Sequence, residues 1–220
     1  MHFTDYLMTP GEHSLILEGA VGSLEAVLSV PESKNTSYVA LIGHPHSLQG
    51  GTMNNKVVTT LARVFKELAI PSLRFNFRGV GQSAGSYDQG IGESEDMLLF
   101  AKEWQKKQPD LHFIFAGFSF GSYVVYRTAA HFPQSLLITI APPVHHYDYT
   151  ELQTDLSSWL IVQGDMDEVV PYTLVEEFAK QRAPEISMIT FAETSHFFHG
   201  KLIELKSQLI DYLKPQVDSV

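Results

Sequence analysis

The 220-residue chain is 44% hydrophobic and 18% charged, a balance that supports a sizeable core and argues against disorder. Its 15 Lys and Arg stand against 25 Asp and Glu, a formal net charge of -10 with no basic stripe, which argues against nucleic acid and anionic membrane surfaces as partners. The absence of cysteine removes disulfides, thiolate metal sites and a cysteine nucleophile, and fits a reducing compartment. Met1–Pro10 holds no Lys or Arg and no apolar run of signal-peptide length. No stretch approaches about 18 apolar residues, so a cytoplasmic protein without a membrane span is expected.

In chain order, two antiparallel strands are predicted over His13–Glu18 and Ser23–Val30, with Gly19 and Gly22 in the turn between them. Pro31–Ser37 is polar and loop-like. Tyr38–Ile42 is a short apolar run of the buried-strand type. Met53–Leu68 carries Val57, Val58, Leu61, Val64, Phe65 and Leu68 at helical spacing, and Ile70–Phe77 reads as the next strand. Glu93–Lys107 is a predicted helix, with Glu93, Glu95 and Asp96 early and Lys106 and Lys107 late, the order the helix dipole favours.

His112–Ala116 is then a strand, Ser119–His131 a helix, and Leu136–Ile140 and Trp159–Gln163 strands. Thr173–Arg182 is a helix, Ile186–Phe191 a strand and Lys201–Leu213 a final helix. Strands alternating with helices after a hairpin imply a mostly parallel sheet covered on both faces, in a single domain over 1–220. Residues 141–158, between two of the strands, leave room for a loop and one short helix, not for a lid of several helices.

Gly117-Phe118-Ser119-Phe120-Gly121 lies where a strand turns into a helix. In that context G-x-S-x-G is a nucleophile elbow: the serine is strained, its hydroxyl is lifted above the carboxyl edge of the sheet, and glycines stand where a side chain would clash. A serine hydroxyl needs a base, and the base needs an orienting acid, in the chain order Ser, Asp or Glu, His. Gly164-Asp165-Met166-Asp167-Glu168 follows a strand and offers three carboxylates. Asp167, at the tip of the turn, is the preferred acid and Asp165 its rival, read as a turn residue binding local backbone N–H groups. Glu168 reads as solvated or near a helix start.

The loop after the final strand holds His196, the expected base. His199 reads as structural, and Phe197 and Phe198 are expected to pack beneath the loop. Oxyanion donors are expected from the backbone N–H of Phe120 and, since Pro45 has none, from that of His46, with Ser47 as the alternative. His145, His146 and Tyr147 lie in the loop that stands where a lid would be. They line either the acyl or the leaving-group pocket, or form an exposed polar loop. The ten histidines lack the spacing of a metal site. Phe75–Ser83 is glycine-rich but lacks the spacing and Lys of a phosphate loop, so Arg78 is expected to bind nearby carbonyls or carboxylates.

Taken together, His44–Val58, Phe75–Gly85, Gly117–Gly121, Gly164–Val170 and Ser195–Gly200 resemble the motifs of the small lidless bacterial serine α/β-hydrolases, over nearly the whole chain. Ser47 departs from the pattern, which often has a second proline there. The resemblance implies the α/β-hydrolase fold without a lid domain, Ser119 as nucleophile, Asp167 as acid and His196 as base. It also implies esterase-like or thioesterase-like activity on small-molecule acyl substrates, with no metal or organic cofactor.

A peptidase would want a further domain to gate peptides, and a dehalogenase an Asp at the elbow. Perhydrolysis uses the same triad. A non-catalytic binding protein on this scaffold would usually lack a triad member, and here each position holds a candidate. Monomer and homodimer are both compatible with the sequence.

Overall fold

The computed structural model describes residues 3–34 and 37–218. A short 3-10 helix, Phe3–Met8, opens the described chain and was not legible in the sequence. Strands β1 (Gly11–Gly19) and β2 (Gly22–Val30) form the predicted hairpin, pairing antiparallel with Gly19 opposite Gly22. Of the predicted Pro31–Ser37 loop, residues 35 and 36 lie outside the described residues, as do residues 1 and 2.

There follow β3 (Tyr38–Gly43), α1 (Lys56–Glu67), β4 (Ser72–Phe75), α2 (Ile91–Lys107), β5 (His112–Phe118), α3 (Phe120–Ala129) and β6 (Leu136–Ile140). The chain continues through β7 (Ser158–Gly164), α4 (Tyr172–Gln181), β8 (Ile186–Phe191) and α5 (Leu202–Val217). The eight strands form one sheet in the order β1-β2-β4-β3-β5-β6-β7-β8. β2 meets β4 antiparallel, and every pairing from β4 across to β8 is parallel.

The apolar runs explain the two-sided burial. Successive side chains of a strand point to opposite faces. In β3, Val39 and Leu41 join one core while Tyr38, Ala40 and Ile42 join the other; in β5, Phe113 and Phe115 part from Ile114, Ala116 and Phe118 in the same way. One face is closed by α1 and α5, through Val58, Leu61 and Phe65 and through Leu205, Leu209 and Leu213. The other is closed by α2, α3 and α4, through Phe100 and Trp104, Val124 and Val125, and Val175. Among the described residues no helix is long and apolar enough to cross a membrane.

Several boundaries differ from the sequence reading, each for a local reason. α1 starts at Lys56, not Met53, because the Asn55 side chain caps it by accepting from the Val57 N–H at 2.8 Å. Met53 meanwhile donates its N–H to Asn76 Oδ1. β4 stops at Phe75 because the Phe77 N–H leaves the ladder and donates to His44 Nε2 at 2.9 Å. α2 starts at Ile91, not Glu93: Glu93 lies in its first turn, as the dipole favours, and is fully buried there, accepting from the N–H groups of Gly90 and Asp88, both at 2.8 Å.

Residues 141–158 contain turns and no helix. The segment is pinned over α3. The buried Tyr149 hydroxyl meets Ser122 Oγ at 2.8 Å, and the Tyr126 hydroxyl bridges the N–H and carbonyl of Leu152.

Candidate active site

Ser119 sits between β5 and α3 with φ 53° and ψ -123°, the strained backbone expected of an elbow. Its N–H is held by the Ile140 carbonyl at 2.8 Å. The flanking glycines are needed for space. A Cβ on Gly117 would lie 2.3 Å from the Gly121 carbonyl oxygen, and one on Gly121 would lie 2.4 Å from Gly43. Gly43, which pairs with Gly117 across β3 and β5, is the third member of this close approach.

The structure brings Ser119, His196 and Asp167 into line. His196 Nε2 lies 3.2 Å from Ser119 Oγ, and His196 Nδ1 lies 2.8 Å from Asp167 Oδ2. All three residues are buried. Asp167 Oδ1 accepts from the N–H groups of Val169 and Val170, at 2.9 and 2.7 Å. Burial opposes ionisation of this carboxyl, but the hydrogen bond from His196 and those two N–H groups outweigh it and hold its pKa below the ordinary value. With Asp167 ionised, Nδ1 of His196 carries the proton and Nε2 is left to accept from Ser119.

Asp165, the rival acid, is exposed and among the described residues its side chain reaches only the Thr194 N–H, at 3.4 Å. His199 is exposed and away from this line.

Two supports were missed in the sequence. Gln163, wholly buried in β7, donates Nε2–H to Asp167 Oδ2 at 3.0 Å and to the Val170 carbonyl at 3.0 Å. Glu168, read as solvated or near a helix start, is exposed, and it also accepts from the His196 N–H at 3.2 Å, which ties the acid loop to the base loop. The paired phenylalanines divide: Phe198 is buried against Phe191, as expected, while Phe197 does not pack beneath the loop but stands 42% exposed beside the His196 ring. One of two adjacent side chains had to face outward, and the sequence did not fix the phase.

At the expected oxyanion position the N–H of Phe120, first residue of α3, has no intrahelical acceptor. Among the described residues the His46 N–H makes no backbone hydrogen bond, while its carbonyl accepts from Gln49 and Gly51, both at 3.0 Å. Gly51 is obligatory, since its Cβ would meet the Pro45 oxygen at 2.0 Å. Among the described residues the buried Ser47 hydroxyl has no hydrogen-bond partner.

His44 braces this loop. Its Nδ1–H donates to the Pro45 carbonyl at 2.7 Å and its Nε2 accepts from Phe77. Burial pulls its pKa down to about 4, so it is neutral near pH 7. Burial, and then the nearness of His146, also lowers His46.

Ser119 opens on two lobes. The larger, about 460 Å³, is lined by His46, Tyr87, Phe120, His145, His146 and Tyr147 among others. The smaller, about 90 Å³, is bounded by Gly50, Asn55, His196 and Phe197. Tyr147 stacks on Tyr123 at 4.5 Å and the 145–147 stretch borders the cleft, while His145 and His146 are also exposed, as an exposed polar loop would have them. Arg78 is structural, as expected: its Nε donates to the buried Asp96 at 2.8 Å. Among the described residues no group of three or more His, Cys, Asp or Glu side chains is placed to hold a metal ion.

No protein-family model matches the chain. An uncharacterized protein of Rickettsia prowazekii is 32% identical over 210 residues, covering 90% of this chain and 87% of that one. The crystal structure of an α/β serine hydrolase without a lid from Xanthomonas campestris is 40% identical, covers 94% of this chain and 95% of its own, and superposes with a TM-score of 0.88. An α/β serine hydrolase homologue from Coxiella burnetii is 42% identical over 91% of this chain and 97% of its own, with a TM-score of 0.85. With identity at this level over nearly the full length of both chains, this chain belongs to the family of α/β serine hydrolases without a lid.

Proposed function

We propose that the chain cleaves small carboxylic ester or thioester substrates through Ser119, His196 and Asp167. The observation that carries this reading is the unbroken line from Asp167 Oδ2 through His196 to the Ser119 hydroxyl, at 2.8 and 3.2 Å.

His196 Nε2 takes the Ser119 proton as Oγ bonds to the substrate carbonyl carbon, and the carbonyl electron pair moves onto oxygen. The N–H groups of Phe120 and His46 receive that oxyanion. The carbonyl reforms as the bond to the leaving group breaks, and His196 returns the proton to the departing alcohol or thiol. Water then repeats the sequence on the acyl-enzyme: His196 takes its proton, and the carboxylic acid leaves as Ser119 Oγ is reprotonated. Asp167 stays ionised throughout and stabilises the imidazolium.

The cleft of about 460 Å³ suits a small-molecule acyl group. The test is hydrolysis of p-nitrophenyl butyrate and of a butyryl thioester. Turnover of either is expected. Ser119→Ala is expected to lower kcat by about a thousandfold or more. A fully active Ser119→Ala would remove that residue from the mechanism.

A further inference from the structure

The larger lobe differs in charge from the molecule around it. The chain carries a net -10, yet among the described residues that lobe is lined by no Asp, Glu, Lys or Arg. Its polar side chains can each donate a hydrogen bond as well as accept one: the imidazoles of His46, His145 and His146, the phenols of Tyr87 and Tyr147, the carboxamides of Gln49 and Gln89, and the Ser119 hydroxyl. His145 and His146 lie with ring centroids 3.9 Å apart. The Tyr87 and Tyr147 hydroxyls meet at 3.2 Å. That pair holds two protons and spends one between its members, so the other is available to an acceptor in the cleft. Burial, and then the bond to Tyr87, pushes the Tyr147 pKa up, which keeps it a donor.

The geometry also divides the substrate. The leaving group takes its proton from His196, and His196 borders only the smaller lobe. The acyl half therefore occupies the larger one.

Resting on the hydrolase reading above, we propose that the acyl half of the substrate ends in an anionic group, a carboxylate, received by His145, His146 and the Tyr87–Tyr147 pair. In an acidic protein, a lobe whose lining holds no carboxylate and several possible donors receives an acceptor-only group without like-charge repulsion from its walls. A hydrogen bond to a carboxylate is charge-assisted even when its donor is neutral.

The test compares two phenyl esters of equal shape, the half-ester of adipate and the ester of 6-methylheptanoate. The adipate half-ester is expected to show kcat/KM about tenfold higher or more, the value of one charge-assisted hydrogen bond. In a His145→Ala/His146→Ala variant that ratio falls to about one. Circular dichroism and fluorophosphonate labelling of Ser119 check that the variant is folded with its site assembled. Free adipate slows labelling of the wild-type Ser119 and has no such effect on the variant.

Equal rates for the two esters, or no protection by adipate, with Ser119 still labelled, would overturn the proposal and leave the hydrolase reading standing. A preference for 4-acetoxybenzoate over 4-acetoxytoluene, without one for the adipate ester, would put the anion on the leaving-group side and overturn it too. An unreactive Ser119 would overturn the hydrolase reading itself, and this proposal with it.

Discussion

Asp167 accepts four hydrogen bonds, from His196, Gln163 and the N–H groups of Val169 and Val170. Every one favours its charged form. Asp167→Asn would present a carboxamide where His196 needs an acceptor and would bias the imidazole to the wrong tautomer. The expected loss in kcat is on the order of 10,000-fold with the fold intact, measured by ester hydrolysis beside circular dichroism. Gln163→Leu removes one support of the same carboxylate, and kcat is expected to fall about tenfold with KM little changed. At this scale Ser119, Asp167 and His196 were legible because each follows a strand that the apolar pattern had already placed. Gln163 and Glu168 were not, because their partners lie on other segments: Gln163 reads as an interior strand residue and Glu168 as a solvated turn.

The strand–turn–helix around Ser119 works because backbone meets backbone. With Gly43, Gly117 and Gly121 in contact, no Cβ fits between β3, β5 and α3. Gly121→Ala places a methyl 2.4 Å from Gly43, and a backbone cannot yield as a flexible side chain can. A destabilisation of about 3 kcal/mol or more is expected in urea unfolding, with activity lost in parallel. The loop over α3 is anchored differently. Ser122 donates to the Ser119 carbonyl and so accepts from the Tyr149 hydroxyl. Tyr149→Phe leaves that acceptor unmet and should cost about 1–3 kcal/mol by the same measurement. The order and type of the elements were readable from periodicity. Their ends were not, because caps and side-chain acceptors set them, as with Asn55 at α1 and His44 beyond β4. The length of segment 141–158 showed that no large lid fits; its anchoring by Tyr149 depends on contacts that spacing does not record.

Across the whole molecule, the loops after β3, β4, β5, β6, β7 and β8 gather at one edge of the parallel sheet, which is where ligands bind in open α/β folds. His44 ties the loop after β3 to the one after β4, and its burial makes that edge sensitive to acid. Folded, it takes a proton only near pH 4, against 6.5 for an ordinary histidine. Between those values the unfolded chain binds the extra proton. This contribution to stability is therefore complete above about pH 6.5 and is lost as pH falls toward 4. The expected loss from pH 7.5 to 5 is about 2 kcal/mol in urea unfolding. A His44→Gln variant should be less stable at pH 7.5 but lack that share of the pH dependence; an unchanged slope would contradict this account of His44. Sheet composition and two-sided burial were legible in the sequence, since the runs of β3 and β5 are apolar throughout. The cleft was not, because the lining of its two lobes converges from six separate loops.

The central claim, that Ser119 is an activated nucleophile, is tested most directly by reaction with a fluorophosphonate and mapping of the adduct by mass spectrometry. The account predicts a single adduct on Ser119, absent in Ser119→Ala and much slowed in His196→Ala. A folded protein that forms no adduct, or one labelled equally fast without His196, would contradict it.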